Sequence, residues 1–225
     1  IVISGSGRSG TTWLAEAAAK TTKARLIFEP VRPGVIPELS GLNNRQYLRP
    51  NDADPAWGPG LRKMINGSFR SRWTDRYNNR FSYQHRLIKV IRANLMLGWI
   101  IEQFPDIRVA HVIRNPHSTV SSQTRGAWKL GLEKFTSQPQ LMQDYLEPFN
   151  DLIEGADDGM KIAVLHWAIE NYVPISQFRA QNWPLDRFQI FRYEDLVRSD
   201  RNLTEFLLFC GASESSINCS ELRQP

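Results

Sequence analysis

The sequence predicts an α/β fold, a parallel, doubly wound sheet with right-handed crossovers and helices on both faces. Three observations point to it. Short β-branched and apolar runs alternate with helical stretches along most of the chain. Leu87 to Ile91, Asn94 to Phe104 and Ile107 to Ile113 read as one strand–helix–strand unit. A Gly/Ser-rich loop joins the first apolar run to the first helix.

Taken in order, Ile1 to Ile3 form the first strand, and Thr12 to Lys20, rich in helix formers, the first helix. Arg25 to Phe28 is a second strand. It ends at Glu29 and Pro30, because proline cannot donate to a ladder and restricts its predecessor, which leaves Glu29 at a strand's carboxyl end. Residues 30 to 86 read as an irregular insertion with one helix around Leu61 to Arg70; six of the thirteen prolines lie between Pro30 and Gly60. After the strand–helix–strand unit, Pro116 leads into a helix from His117. Pro139 to Ile153 and Met160 to Arg179 read as longer helices, the second bent near Pro174. Phe188 to Phe191 is the last strand, and Ser199 or Asp200 caps a final helix closing at Gly211. The 225 residues read as a single domain, 1–225.

Hydrophobic residues at 41% and charged residues at 23% exclude collagen-like, coiled-coil and wholly disordered classes. No apolar run is long enough to span a membrane. Cys210 and Cys219 offer neither a disulfide framework nor zinc spacing, so a reducing compartment and no metal are expected. The net charge is +5, carried by 21 Arg against 7 Lys. Guanidinium forks suit phosphate and sulfate oxygens, although lineage bias gives the same composition. The arginines are scattered and no nucleic-acid motif accompanies them, so no nucleic-acid partner is expected.

The densest signal is the run Ser4 to Trp13, SGSGRSGTTW, between the first strand and first helix. Such a loop curls backbone N–H groups into an anion nest at a helix N-terminus. Set on the Walker A pattern, Gly5 and Gly10 fit, but Thr11 stands where the lysine belongs and the basic residue is Arg8. The strand Ile107 to Ile113 carries no Walker B acid. The residues therefore describe a phosphate cradle without a metal site.

The run Arg8-Ser9-Gly10-Thr11-Thr12-Trp13 resembles the 5′-phosphosulfate loop of sulfotransferases that use 3′-phosphoadenosine 5′-phosphosulfate (PAPS). Arg114-Asn115-Pro116 with Ser122 resembles their 3′-phosphate motif, and Tyr193-Glu194-Asp195-Leu196 a signature that walls the site. The resemblance implies a P-loop NTPase-like fold. It implies that Arg8 with Ser9 and the amides of Gly10, Thr11 and Thr12 hold the phosphosulfate, that Arg114 and Ser122 hold the 3′-phosphate, and that Trp13 stacks on the adenine. Trp13 also reads as a core aromatic and Ser122 as a surface helix serine. The histidine base of the cytosolic branch has no match, since Ile91 occupies its place, and that branch's C-terminal Arg-Lys-Gly segment is missing. The Arg-Ser-Gly-Thr-Thr loop and Phe28-Glu29-Pro30 look closer to the carbohydrate-acting branch, Golgi-type and bacterial. A cytoplasmic, bacterial-type location is expected, or a Golgi lumen if an anchor preceding Ile1 has been removed. The sequons at Asn66, Asn202 and Asn218 are close to chance frequency and decide nothing.

The expected activity is transfer of a sulfuryl group from PAPS to a hydroxyl of a small-molecule or carbohydrate acceptor. Arg8 and Lys89 are the expected charge stabilisers, and Glu29 the general base, with an arginine salt bridge as its other role and His85 as competitor. A magnesium-dependent P-loop kinase and a non-catalytic nucleotide-binding domain are the alternatives.

Overall fold

A computed structural model describes residues 1–222 except 33, 35, 79–81 and 84, positions that fall within the expected insertion. The sheet strands are β1 (Val2–Gly5), β2 (Arg25–Phe28), β3 (Arg86–Val90), β4 (Val109–Ile113) and β5 (Phe188–Arg192). They form one sheet in the order β2-β3-β1-β4-β5, and every pairing is parallel. Helices cover both faces, so the expected α/β, P-loop NTPase-like architecture is the one found.

Burial on both faces explains why most strand residues are apolar. Val2, Ile27, Ile88 and Val109 enter one core with Trp57, Met64 and Trp99, while their neighbours Ile3, Leu26, Leu87 and Ala110 enter the other with Leu14, Leu203 and Phe206. The strand alternation thus sorts residues between two helical layers. α1 (Thr11–Thr22) and α7 (Asp200–Phe209) supply the second core; α2 (Gly58–Ile65) and α3 (Leu97–Gln103) supply the first. α4 (Pro116–Arg125) follows β4, α5 (Gly159–Gln181) packs against α3 and α4, and α6 (Tyr193–Arg198) follows β5 directly. No helix among the described residues is long and apolar enough to cross a membrane.

Two elements depart from expectation. The helix expected over Pro139–Ile153 is a chain of short pieces, Pro139–Leu141, a π-turn Met142–Leu146, a 3₁₀ turn Glu147–Phe149 and Asn150–Glu154. Pro148 lacks the N–H that an α-helix needs there, and the ladder is re-spaced around it. α2 starts earlier than expected, with Pro59 in its first turn, and stops before Gly67, whose φ of +77° no helix continues.

The segment between β2 and β3 also closes the sheet edge. Phe28 N–H donates to the Thr74 carbonyl at 2.8 Å, and the Asn78 amide brackets Leu26, accepting from its N–H at 2.8 Å and donating to its carbonyl at 2.9 Å. Buried Arg25 pairs with Asp75 at 2.7 Å. Farther along, buried Arg45 pairs with fully buried Glu170 of α5. Burial favours the neutral acid, yet Arg45 and the adjacent His166 outweigh it and hold the Glu170 carboxyl down at about 2.

Candidate active site

The Ser4–Trp13 loop leaves the carboxyl end of the central strand, flanked by β3 and β4. Ser9 N–H closes a turn on the Ser6 carbonyl at 3.1 Å. Gly10 takes φ +84° as the N-cap of α1 and provides no side-chain cap, so the first-turn amides have no capping partner. Glycine is required there twice over, since a Cβ would also strike the Tyr193 ring. Arg8 holds φ +71°, a left-handed conformation costly for a side-chain-bearing residue. Its neighbours hold it there: Arg114 Nη1 donates to the Arg8 carbonyl at 3.0 Å, and Gln123 Nε2 to the Gly7 carbonyl at 2.9 Å.

Beneath the loop lies a buried polar chain. Asn171 Nδ2 on α5 donates to Ser6 Oγ at 3.1 Å, and Asn171 Oδ1 lies 3.1 Å from His111 Nε2. His111 Nδ1 in turn lies 2.9 Å from Ser4 Oγ. Burial pushes the His111 imidazole down to about 4, so it is neutral here, and the amide acceptor places its proton on Nε2. This chain ties the loop floor to α5, and nothing in the sequence pattern marks it.

The predicted residues converge. One cavity of about 460 Å³ is lined by Arg8, Gly10, Thr11, Thr12, Glu29, Lys89, Arg114 and Ser122, together with Arg32, Trp73, Arg76, Arg92 and Trp128. Arg8 Nε donates to Ser122 Oγ at 2.9 Å, so the two expected phosphate motifs touch. Asn115 N–H donates to Glu194 at 2.9 Å, and the Arg114 guanidinium lies over the Tyr193 ring at 4.7 Å. The Tyr193–Leu196 signature thus braces the Arg114 motif. Ser9 Oγ and Arg114 Nε are buried without a hydrogen-bond partner among the described residues.

Glu29 stands across from them. It is 2% exposed and takes φ +43°. Its Oε1 accepts from Lys89 Nζ at 2.6 Å; its Oε2 accepts from Arg92 at 3.0 Å and from Ile91 N–H at 3.4 Å. The expected alternative, a salt bridge, is therefore present, made with both a lysine and an arginine. Three of roughly four acceptor directions on the carboxylate are used, leaving room for one more proton donor. Burial, with Arg45 and Arg32 nearby, pushes the Arg92 guanidinium below its usual range despite Glu29, so positive charge dominates this end.

Two expected participants lie elsewhere. Trp13 is turned out of the cavity: its Nε1 donates to the Leu222 carbonyl at 3.0 Å, and its ring meets Tyr193 edge-on at 6.2 Å. It lines a neighbouring cavity with Thr12, and the adenine-stacking role expected of it is carried forward as a proposal. His85 sits at the opposite end of the sheet, bordering a separate cavity with Ile1 and Arg108. Among the described residues Glu29 is the only carboxylate lining this 460 Å³ cavity, and no histidine lines it. Arg32, Trp73, Arg76, Arg92 and Trp128 line the cavity from outside the assigned motifs.

Residues 1–212 match a family model described as "Sulfotransferase family". A search of curated proteins finds no match. Among solved structures, the sulfotransferase domain from the curacin biosynthetic pathway superposes with a TM-score of 0.56 at 16% identity, covering 100% of this chain and 77% of that one. A sulfotransferase from Alicyclobacillus acidocaldarius gives 0.46 at 14%, covering 94% and 80%. A retinol dehydratase in complex with androsterone and inactive cofactor PAP gives 0.46 at 16%, covering 99% and 62%.

Proposed function

The chain belongs to the sulfotransferase family, and from that premise we propose that it transfers a sulfuryl group from PAPS to an acceptor hydroxyl, a carbohydrate hydroxyl being the expected class. The observation that carries this reading is the single cavity joining the Arg8 loop, Lys89, Glu29 and the Arg114–Ser122 pair. PAPS supplies an activated S–O bond whose leaving group is a phosphate. The amides of Gly10, Thr11 and Thr12 and the Arg8 guanidinium hold the phosphosulfate end; Arg114 and Ser122 hold the 3′-phosphate. Sulfuryl transfer resembles phosphoryl transfer, in which positioning and charge stabilisation do most of the work. Lys89 Nζ, 2.6 Å from Glu29, stands between the loop and the base, where it neutralises charge on the sulfonyl oxygens. Glu29 takes the acceptor proton on its remaining lone pair as the new S–O bond forms, and releases it to solvent afterwards.

Calorimetric titration with adenosine 3′,5′-bisphosphate, with and without magnesium, tests the donor assignment. Tight metal-independent binding is the expected result. Weak bisphosphate binding beside tight magnesium-ATP binding overturns it in favour of a kinase. Radiolabelled PAPS with an acceptor library then separates an enzyme from a binding domain.

A further inference from the structure

The sheet order lays the cavity out as a line. Arg114 and Ser122 lie at β4 and α4, the loop at β1, Lys89 on β3, and Glu29 at the end of β2, a span of three strand spacings or about 14 Å. With the donor's 3′-phosphate at the β4 end and its sulfuryl group near Lys89, in-line attack brings the acceptor from the β2 end.

That end carries two cations with no task so far. Lys89 and Arg92 are engaged by Glu29, and Arg8 and Arg114 serve the loop. Arg32 and Arg76 form no hydrogen bond or ion pair with any described residue. Both instead lie on the Trp73 indole, at 4.2 and 4.5 Å from its centroid. Trp73 is itself fixed by Nε1 donating to the Glu29 carbonyl at 3.2 Å and by its contact with Phe28 at 5.6 Å. Stacking holds a guanidinium by its face and consumes none of its N–H donors. Two like charges are thus held beside one ring that is itself bonded to the backbone of Glu29, with their donors unspent.

We infer that the acceptor is an anion, a hydroxyl compound bearing a carboxylate or sulfate ester, whose acidic group is gripped by Arg32 and Arg76 while its hydroxyl meets Glu29. This rests on the PAPS reading above for the direction of approach. The Trp73 clamp fixes the distance between acidic group and hydroxyl, so it selects the site of transfer as well as the substrate.

The test uses three probes in the presence of saturating adenosine 3′,5′-bisphosphate: 4-nitrophenyl β-D-glucuronide, 4-nitrophenyl β-D-glucoside 6-sulfate, and the neutral 4-nitrophenyl β-D-glucoside. At low salt at least one acidic probe binds about tenfold or more tighter than the neutral one, as expected for charge-assisted contacts, and R32Q/R76Q removes the difference. The two acidic probes tell carboxylate from sulfate. Equal binding of all three, binding of none, or a preference that survives R32Q/R76Q overturns the inference. Bisphosphate binding, measured alone on the same proteins, keeps the two readings apart. Wild type that fails to bind it sinks the donor assignment, whereas R32Q/R76Q binding it as wild type does shows an intact fold and leaves only the acceptor clamp in question. A marked loss of bisphosphate affinity in R32Q/R76Q assigns the two arginines to the donor and also overturns the inference.

Discussion

The two flanks of β1 handle charge in opposite ways. On the β4 flank, Arg8 and Arg114 donate to a hydroxyl and a backbone carbonyl, so their charge is uncompensated and Arg114 keeps a buried Nε unpaired. On the β2 and β3 flank, Lys89 and Arg92 close on a carboxylate. Both flanks hold a non-glycine residue in the left-handed region, Arg8 at +71° and Glu29 at +43°. Strain at both suggests a shared design, in which each flank forces one side chain into the cavity and fixes it by bonds to its carbonyl. Under the proposed function this is a division of labour: one flank is to receive the negative donor, and the other holds the charge that is to move a proton.

The sharpest way to break this comparison is to remove the built-in charge. Glu29→Gln keeps the shape and abolishes the basicity. Turnover is expected to fall by about 100-fold or more while PAPS binding persists; near-normal turnover would remove Glu29 from the chemistry. Lys89→Ala should lower kcat on the order of 100-fold with little change in the Michaelis constant for PAPS, the pattern of an interaction made in the transition state. A raised Michaelis constant at normal kcat reduces Lys89 to a binding residue. On the other flank, Arg114→Ala should weaken bisphosphate binding by about 1.5 to 3 kcal/mol. Because Arg114 also holds the Arg8 carbonyl, the Arg114→Ala/Arg8→Ala pair should fall short of additivity in a double-mutant cycle. Full additivity would show the two arginines to be independent.

Acid sharpens the comparison from below the loop. The His111 imidazole is held at about 4 in the folded chain against an ordinary 6.5, so the unfolded state binds the extra proton between these values. Its contribution to stability is intact above pH 6.5 and is lost as pH falls toward 4, at up to about 1.4 kcal/mol per pH unit. Denaturant melts of wild type and His111→Gln should differ in slope across that window, and parallel pH profiles would exclude His111 as the sensor. The smallest effect is expected at Trp13. Trp13→Phe loses the bond to the Leu222 carbonyl, about 1 kcal/mol of stability, with less than about a twofold change in bisphosphate affinity. A tenfold loss would assign the indole to the nucleotide.

How much of this was legible beforehand follows the same division. The five strands lie within two residues of their expected ends, because strands buried on both faces must be mostly apolar, and Gly, Pro and polar residues mark where burial stops. The donor flank was readable because its residues are close in sequence: Arg8 to Thr12 form one loop, and Arg114 and Ser122 share one helix entry. The acceptor flank was readable only at Glu29 and Lys89. Arg32, Trp73 and Arg76 meet only through the path of residues 30–85, which no periodicity describes, and Arg92 reaches Glu29 between the ends of two adjacent strands. The position of Trp13 depended on the far terminus, and the Ser4–His111–Asn171–Ser6 chain on three separate elements.

The segment that bears the Trp73 clamp also seals the outer margin of β2 through Thr74 and Asn78. An unsealed strand margin is a template for pairing with another chain. The proposed acceptor clamp and the seal against strand pairing therefore share one stretch of chain, and variants that remodel it for new acceptors should be screened by light scattering before they are screened for turnover.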